Sequence, residues 1–282
     1  MKHVLIAANP NKEKGLEALD LITEYMTSNG VGCDTIILYN REERIDPALL
    51  KKSDMVIVLG GDGTLLRVAT QSCKYGVPIV GFNAGHLGFL TQAGIDNLSL
   101  VLPRLVSGDY KIEKRMLVKG SVYRNGEEIY SKEALNDVVI TRGGSLQVLC
   151  YEVAVNQKAL KQYSADGVIV ATPTGSTGYN LSAGGPIVEP GADSLLLTPI
   201  SPHSFMNRSV VFKSTDEICI TVLDSHDVER TVSVEVSFDG YAEMPLYSGD
   251  QVKVSKADTY AEFIELNHIN FLENLNRKMQ EG

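Results

Sequence analysis

An α/β unit followed by an all-β unit is the fold this sequence predicts, on three observations. Strand-like and helix-like segments alternate over the first hundred residues, closely spaced strand runs follow from about Ile112, and helical spacing returns at the end. In order, VLIAA (4–8) is a short buried-strand run, and Leu16, Leu19, Ile22 and Met26 then recur at helical spacing. That helix stops at Asn29-Gly30, since glycine tolerates the left-handed conformation at a helix end. DTIIL (34–38) is a second strand, and MVIVL (55–59) a third that runs into Gly60-Gly61. A helical stretch over 64–75 precedes PIVGF (78–82), a fourth strand. Strands alternating with helices argue for a parallel sheet covered on both faces.

The second half has another rhythm. SVYRNGEEIY (121–130) carries Asn125-Gly126 between alternating apolar residues, a strong short-range hairpin signal. Further strands are VVIT, VLCYEVAV, GVIVAT, EICITVL, TVSVEVSF and QVKVS, which predict a β-sandwich or compact stacked sheets. The tail over 261–279 returns to helical spacing through Phe263, Leu266, Ile269, Leu272 and Leu275, and is expected to pack back on the first domain. The expected domains are therefore residues 1–111 with 259–282, and residues 112–258.

Composition narrows the class. The chain has 282 residues, 44% of them hydrophobic and 22% charged, which is ordinary globular usage and not that of a fibre or a disordered tail. No apolar run approaches the roughly 18–20 residues needed to cross a bilayer, so no membrane association is expected. The opening MKHVLIAANP reads as a first strand, because its apolar run is too short for a signal peptide. The net charge is −9 and no Lys/Arg-rich block occurs, which argues against a nucleic-acid partner. A phosphorylated small molecule stays open, because backbone amides and a magnesium ion can offset a negative surface. Cys33, Cys73, Cys150 and Cys219 are scattered without metal-ligand spacing, and reduced thiols in a cytoplasm are the simplest reading.

Three stretches carry candidate chemistry. Gly60-Gly61-Asp62-Gly63-Thr64 stands at the carboxyl end of the third strand, where ligands of open parallel sheets bind. Its glycines let backbone amides approach a phosphate. The run is neither a P-loop nor a dinucleotide fingerprint, since Leu66 occupies the third glycine position. Bare phosphate repels a carboxylate, so Asp62 points to a proton or a hydrated metal; the other reading is that Asp62 or Thr64 simply caps the helix. The second stretch runs from Asp166 through Thr177, Gly178 and Tyr179 to Ser182 and Gly185-Pro186, dense in hydroxyls and glycines. It suits a sugar- or phosphate-bearing ligand, or else forms a solvated loop rich in turn formers. The third is Asn136-Asp137, at the start of an apolar strand, either an Asx turn or a pair that needs a ligand hydroxyl. Arg67 faces either phosphate or solvent. His86 and His203 lack metal-ligand spacing, and Gly175-Ser176-Thr177-Gly178 lacks the spacing of a nucleophile elbow.

Taken together, GGDGTLLR (60–67), GFNAGHLGFL (81–90), LND (135–137), DGVIVATPTGSTGYNLSAGGP (166–186) and LTPISPHS (197–204) resemble the NAD kinases. The resemblance covers nearly the whole chain. It implies a Rossmann-like N-terminal domain, a C-terminal β-sandwich domain, and usually a homotetramer or dimer. The activity it implies is transfer of the terminal phosphoryl group of ATP, or of polyphosphate, to the 2′-hydroxyl of the adenosine ribose of NAD. Asp62 would then be the general base, with a divalent cation, magnesium, as cofactor. Asp62, Gly63 and Arg67 would meet substrate, Asn136 and Asp137 the adenosine ribose or the nicotinamide portion, and Asp166 with Ser164 the substrate across a subunit interface. Thr177, Gly178, Tyr179, Asn180 and Ser182 would line the adenine and ribose pocket, with Ser201 against the base. Two other expectations share parts of this pattern: a lipid or sugar kinase with the same glycine loop, and an NAD(H) sensor without catalysis.

Overall fold

The computed structural model describes residues 1–10, 13–39, 43–83, 88–143, 148–204, 208–224, 233–266 and 271–281. The chain divides into two compact units, Met1–Arg115 with Thr259–Gly282, and Met116–Asp258.

In the first unit the strands Gly32–Ile37, His3–Ala8, Met55–Leu59 and Ile79–Asn83 lie side by side in that order, all parallel. Phe263, near the end of strand Gln251–Glu265, extends the sheet by pairing with Ile79. Alternation sorts the side chains. Val4, Ile6, Met55, Ile57, Leu59, Val80 and Phe82 share a core with Ile22 and Met26 of helix Glu13–Ser28 and with Val101 and Leu105 of helix Leu98–Ser107. Gly81 points the other way, and Leu65 of helix Asp62–Ser72 lies so close that a Cβ on Gly81 would come within 2.7 Å of it. Both faces are covered, which is why these strands read as unbroken apolar runs. The first helix ends as expected, with Gly30 at φ +76°.

The tail departs from its expected helix. Residues up to Glu265 continue a strand, and the helix is Phe271–Glu281. Phe263, Ile264 and Leu266 are buried by the sheet, and Arg115 stacks on the Phe263 ring at 4.5 Å; a short apolar run carries no period that separates strand from helix. Ile269 lies outside the described residues. The helix does return to the first unit, through a polar anchor: buried Asn274 donates to the Gly88 carbonyl at 2.7 Å, while Leu272 and Met279 are exposed. Helix Leu98–Ser107 is an element the sequence reading does not contain; it holds Pro103 within it, and Leu98, Val101, Leu102 and Leu105 bury its inner face.

The second unit is an antiparallel sandwich. One layer holds Lys158–Ala165, Leu149–Val155, Ile218–Val222 and the first part of Gln251–Glu265, with the hairpin Lys111–Arg124 and Glu127–Ala134. Asn125 and Gly126 both have positive φ, +52° and +86°, as a type I′ turn demands. The other layer runs Val210–Lys213, Ser194–Ile200, Gly167–Ala171, Asp137–Gly143, Ser233–Phe238 and Tyr241–Leu246. Tyr151, Ile220 and Val252 from the first layer meet Ile140, Val168, Leu197 and Phe238 from the second in one core. The outer face of the second layer carries Val139, Ile169 and Leu196, covered by Ala183 and Val188 of the glycine-rich loop. No helix among the described residues is long and apolar enough to cross a membrane.

Candidate active site

Asp62 is the first residue of helix Asp62–Ser72, and the cap is Gly61, which makes no side-chain capping bond. The capping alternative therefore fails for both candidates. Thr64 instead accepts from the Asn9 side-chain amide at 3.1 Å, and the Asp62 carboxylate turns toward a loop 27 residues further on. Its Oδ2 accepts the N–H of Phe89 at 2.8 Å and its Oδ1 that of Leu90 at 3.2 Å. A Cβ on Gly88 would lie 1.9 Å from Oδ1, so residue 88 must be glycine for the acid to rest there. The carboxylate is half-buried, at a helix N-terminus that favours negative charge. Each oxygen keeps a second lone pair for an outside proton.

The glycines of this loop divide by cause. Gly60 is demanded by packing, since a Cβ there would meet Thr64 Oγ1 at 2.8 Å. Gly61 and Gly63 would meet nothing, and neither has positive φ, so neither packing nor backbone requires them. What they leave is bare amide open to a ligand. Gly63 is exposed, and Arg67 sits half-buried one turn along the same helix.

In the second unit Asn136 and Asp137 stand beside the loop over 172–188. Thr172, Thr174, Ser176 and Asn180 are buried, so the loop is no solvated turn. Ser176 exchanges hydrogen bonds with the backbone of Val188 at 3.0 and 3.1 Å. Asn180, expected to line the pocket, is fully buried: its amide donates to the carbonyls of Ser176 and Pro186 and accepts from Thr198 at 2.6 Å. It holds the loop from behind rather than facing outward. Thr177 and Gly178 are half-buried, and Tyr179 and Ser182 are exposed. Gly175 presses on the Asn136 carbonyl, where a Cβ would come to 2.1 Å, and Gly178 lies near the Asn136 amide. Gly175→Ala is expected to cost about 1–3 kcal/mol or more, because backbone has to move, and to lower Tm in a thermal melt. The Asn136 Oδ1 is buried without a hydrogen-bond partner among the described residues, an orphan of the kind that calls for a ligand.

Ser164, Asp166 and Ser201 gather at the opposite end of strand Gly167–Ala171, about 13 Å away at 3.3 Å per residue. Arg142, which the sequence reading did not single out, donates to Asp166 at 2.8 Å and holds its carboxyl below the usual range. The Asp166 N–H donates to Ile200, and the N–H of His203 to the Ser164 carbonyl at 2.8 Å. Ser164 and Ser201 are exposed, the latter at φ +44°. His86 lies outside the described residues.

Two carboxyls flank Asn136, Asp137 buried and Asp239 half-buried. Burial, with the charge of Asp239 adding to it, pushes Asp137 up to about 7. Burial raises Asp239 to about 6 against the opposing pull of three backbone amides. Both folded values lie above the ordinary aspartate value, so the folded protein holds these protons more tightly than the unfolded chain. Their contribution therefore falls as pH rises through about 4 to 7 and is worst above it. Asp34, held low by Lys52 and His3, and Asp166, held low by Arg142, change only below that window. Tm is expected to drop between pH 5 and pH 8, and Asp137→Asn to flatten the profile in thermal melts.

Comparison with known proteins covers both units. The model of the ATP-NAD kinase N-terminal domain matches residues 4–110, and that of the ATP-NAD kinase C-terminal domain residues 135–266. An NAD kinase of Heliobacterium modesticaldum is 39% identical over 287 residues, covering all of both chains. One of Symbiobacterium thermophilum is 44% identical over 226 residues, covering 80% of this chain and 78% of its own. Among solved structures, yeast NADH kinase complexed with NADH superposes with a TM-score of 0.87 at 24% identity, over 99% of this chain and 88% of that one. An NAD kinase from Archaeoglobus fulgidus in complex with ATP reaches 0.76 at 24% identity, over 98% of each chain. These two likenesses speak for the fold.

Proposed function

The chain belongs to the NAD kinase family, and on that premise we propose that Asp62 is the general base of a phosphoryl transfer from ATP to NAD. As an NAD kinase it phosphorylates the 2′-hydroxyl of the adenosine ribose and yields NADP. A sugar hydroxyl is a poor nucleophile at neutral pH, and phosphoryl transfer needs mainly positioning and neutralised charge. Asp62 accepts the hydroxyl proton as the oxygen attacks the terminal phosphorus of ATP. The open amides at Gly61 and Gly63 hold phosphate oxygens. Asn136, with Gly178 beside it, and Thr177 of the same loop hold a ribose or amide group of NAD. The observation that carries this reading is the Asp62 carboxylate, fixed by the Phe89 and Leu90 amides at the carboxyl end of a parallel strand.

ATP enters as its magnesium complex. Among the described residues no three His, Cys, Asp or Glu side chains converge, and a magnesium ion would be held by ATP phosphate oxygens and water. When bound, it neutralises charge on the transferring group. A homo-oligomer, tetramer or dimer, belongs to the same reading. Ser164 lies in edge strand Lys158–Ala165 and Asp166 just after it, away from Asn136; the outer side of that strand has no ladder partner among the described residues and is open to a second copy. Cys33, Cys73, Cys150 and Cys219 form no disulfide, in keeping with a cytoplasmic setting.

The test is the full chain with NAD, Mg²⁺ and either ATP or polyphosphate, followed for NADP by a coupled dehydrogenase. NADP with matching ADP release is the expected result. NAD binding without ADP release would leave a sensor, and transfer to diacylglycerol or a sphingoid base a lipid kinase.

A further inference from the structure

Two side chains with no assigned role close on the three residues that carry Asn136. Asp239 is half-buried, and its carboxylate accepts the N–H groups of Leu135 at 3.0 Å, Asn136 at 2.7 Å and Asp137 at 3.3 Å. Its own N–H returns to the Asp137 carbonyl at 3.1 Å, from a backbone at φ +52° that non-glycine residues rarely adopt. Thr172 works from the other side: its hydroxyl donates to the Leu135 carbonyl at 2.6 Å and its N–H to the Asn136 carbonyl at 2.8 Å. The same hydroxyl accepts the Gly175 N–H at 3.0 Å, which ties the glycine-rich loop to the turn. Every backbone polar group of Leu135, Asn136 and Asp137 is thus engaged by Asp239 or Thr172.

An asparagine in a turn ordinarily satisfies its side chain on neighbouring backbone. Here those groups are already taken, and the Asn136 Oδ1 is the buried atom left over. We propose that Asp239 and Thr172 are positioning residues that saturate this turn and so keep the Asn136 amide for NAD. The inference rests on the reading that Asn136 contacts NAD.

Steady-state kinetics on the full chain test it, with Thr172→Val, Thr172→Ser, Asn136→Ala and the double variant Asn136→Ala/Thr172→Val. Thr172→Val is expected to raise KM for NAD about tenfold, the affinity equivalent of one lost buried hydrogen bond, with KM for ATP and kcat within about twofold. Thr172→Ser, which keeps the hydroxyl, restores KM. The double variant is no worse than Asn136→Ala, because the two changes act through one contact. Unchanged NAD KM in Thr172→Val beside an impaired Asn136→Ala overturns the inference, as do losses that multiply in the double variant. Unchanged KM in Asn136→Ala instead sinks the reading beneath it. Should Thr172→Val not fold, Asp239→Asn, which turns a donor toward one of the three amides, is held to the same KM criterion.

Discussion

Asp62→Asn is expected to lower kcat by about 10²–10⁴-fold while KM for NAD stays near that of the unaltered chain. The amide side chain has the shape of the acid and cannot take a proton at neutral pH, so what is lost is the transfer and not the pocket. The structure adds a second consequence. Both carboxylate oxygens accept backbone amides, from Phe89 and Leu90. An asparagine turns an N–H toward one of them, and a loosened 88–90 segment is expected to cost about 1–3 kcal/mol of stability. Kinetics and a thermal melt on one preparation separate the two effects. A variant that melts lower yet turns over at the original rate would make Asp62 a structural acid.

Gly88→Ala is expected to approach the same loss of kcat by a different route. A Cβ at this position would lie 1.9 Å from Asp62 Oδ1 and 2.2 Å from its Cγ. The atoms displaced belong to a short side chain and not to backbone, so the carboxylate can rotate away, giving up the Phe89 and Leu90 amides as it does so. Tm is expected to fall about as far as in Asp62→Asn, since the same amides lose their acceptor, while kcat falls by about 10²-fold or more, the share of the rate a displaced base no longer supplies. Asp62→Asn/Gly88→Ala should then be little worse than Asp62→Asn alone, since one group is disabled twice. Full activity in Gly88→Ala would show that the amide clamp is not the working position of the acid.

The strands and turns that decide the fold class were legible because their signals are local. Met55–Leu59 and Ile79–Asn83 are buried on both faces and read as continuous apolar runs. Asn125-Gly126 names its turn by backbone preference alone. Ser194–Ile200 is an apolar run of the same kind that the strand reading left out, whereas two other differences come from missing signals. Lys158–Ala165 is an edge strand with mostly exposed side chains, so no alternation marks it. The strand ending at Glu265 reads as helix because its apolar residues fit either period over so short a run.

At the site, the sequence by itself determined which residue types stand at strand ends: an acid among glycines at 62, an Asn-Asp pair at 136–137, a hydroxyl-rich loop after 171. Only the tertiary structure decided what each side chain does there. Asn180 is spaced like a pocket residue and yet faces inward to Thr198. Gly88 looks like any turn glycine until the Asp62 carboxylate is laid against it. Asp239 and Thr172 reach the Asn136 turn across 103 and 37 residues of chain to that turn's Asn136 amide and Leu135 carbonyl. Local spacing records backbone periodicity and burial; contacts between distant segments exist only once the chain has closed, and those contacts aim a functional side chain.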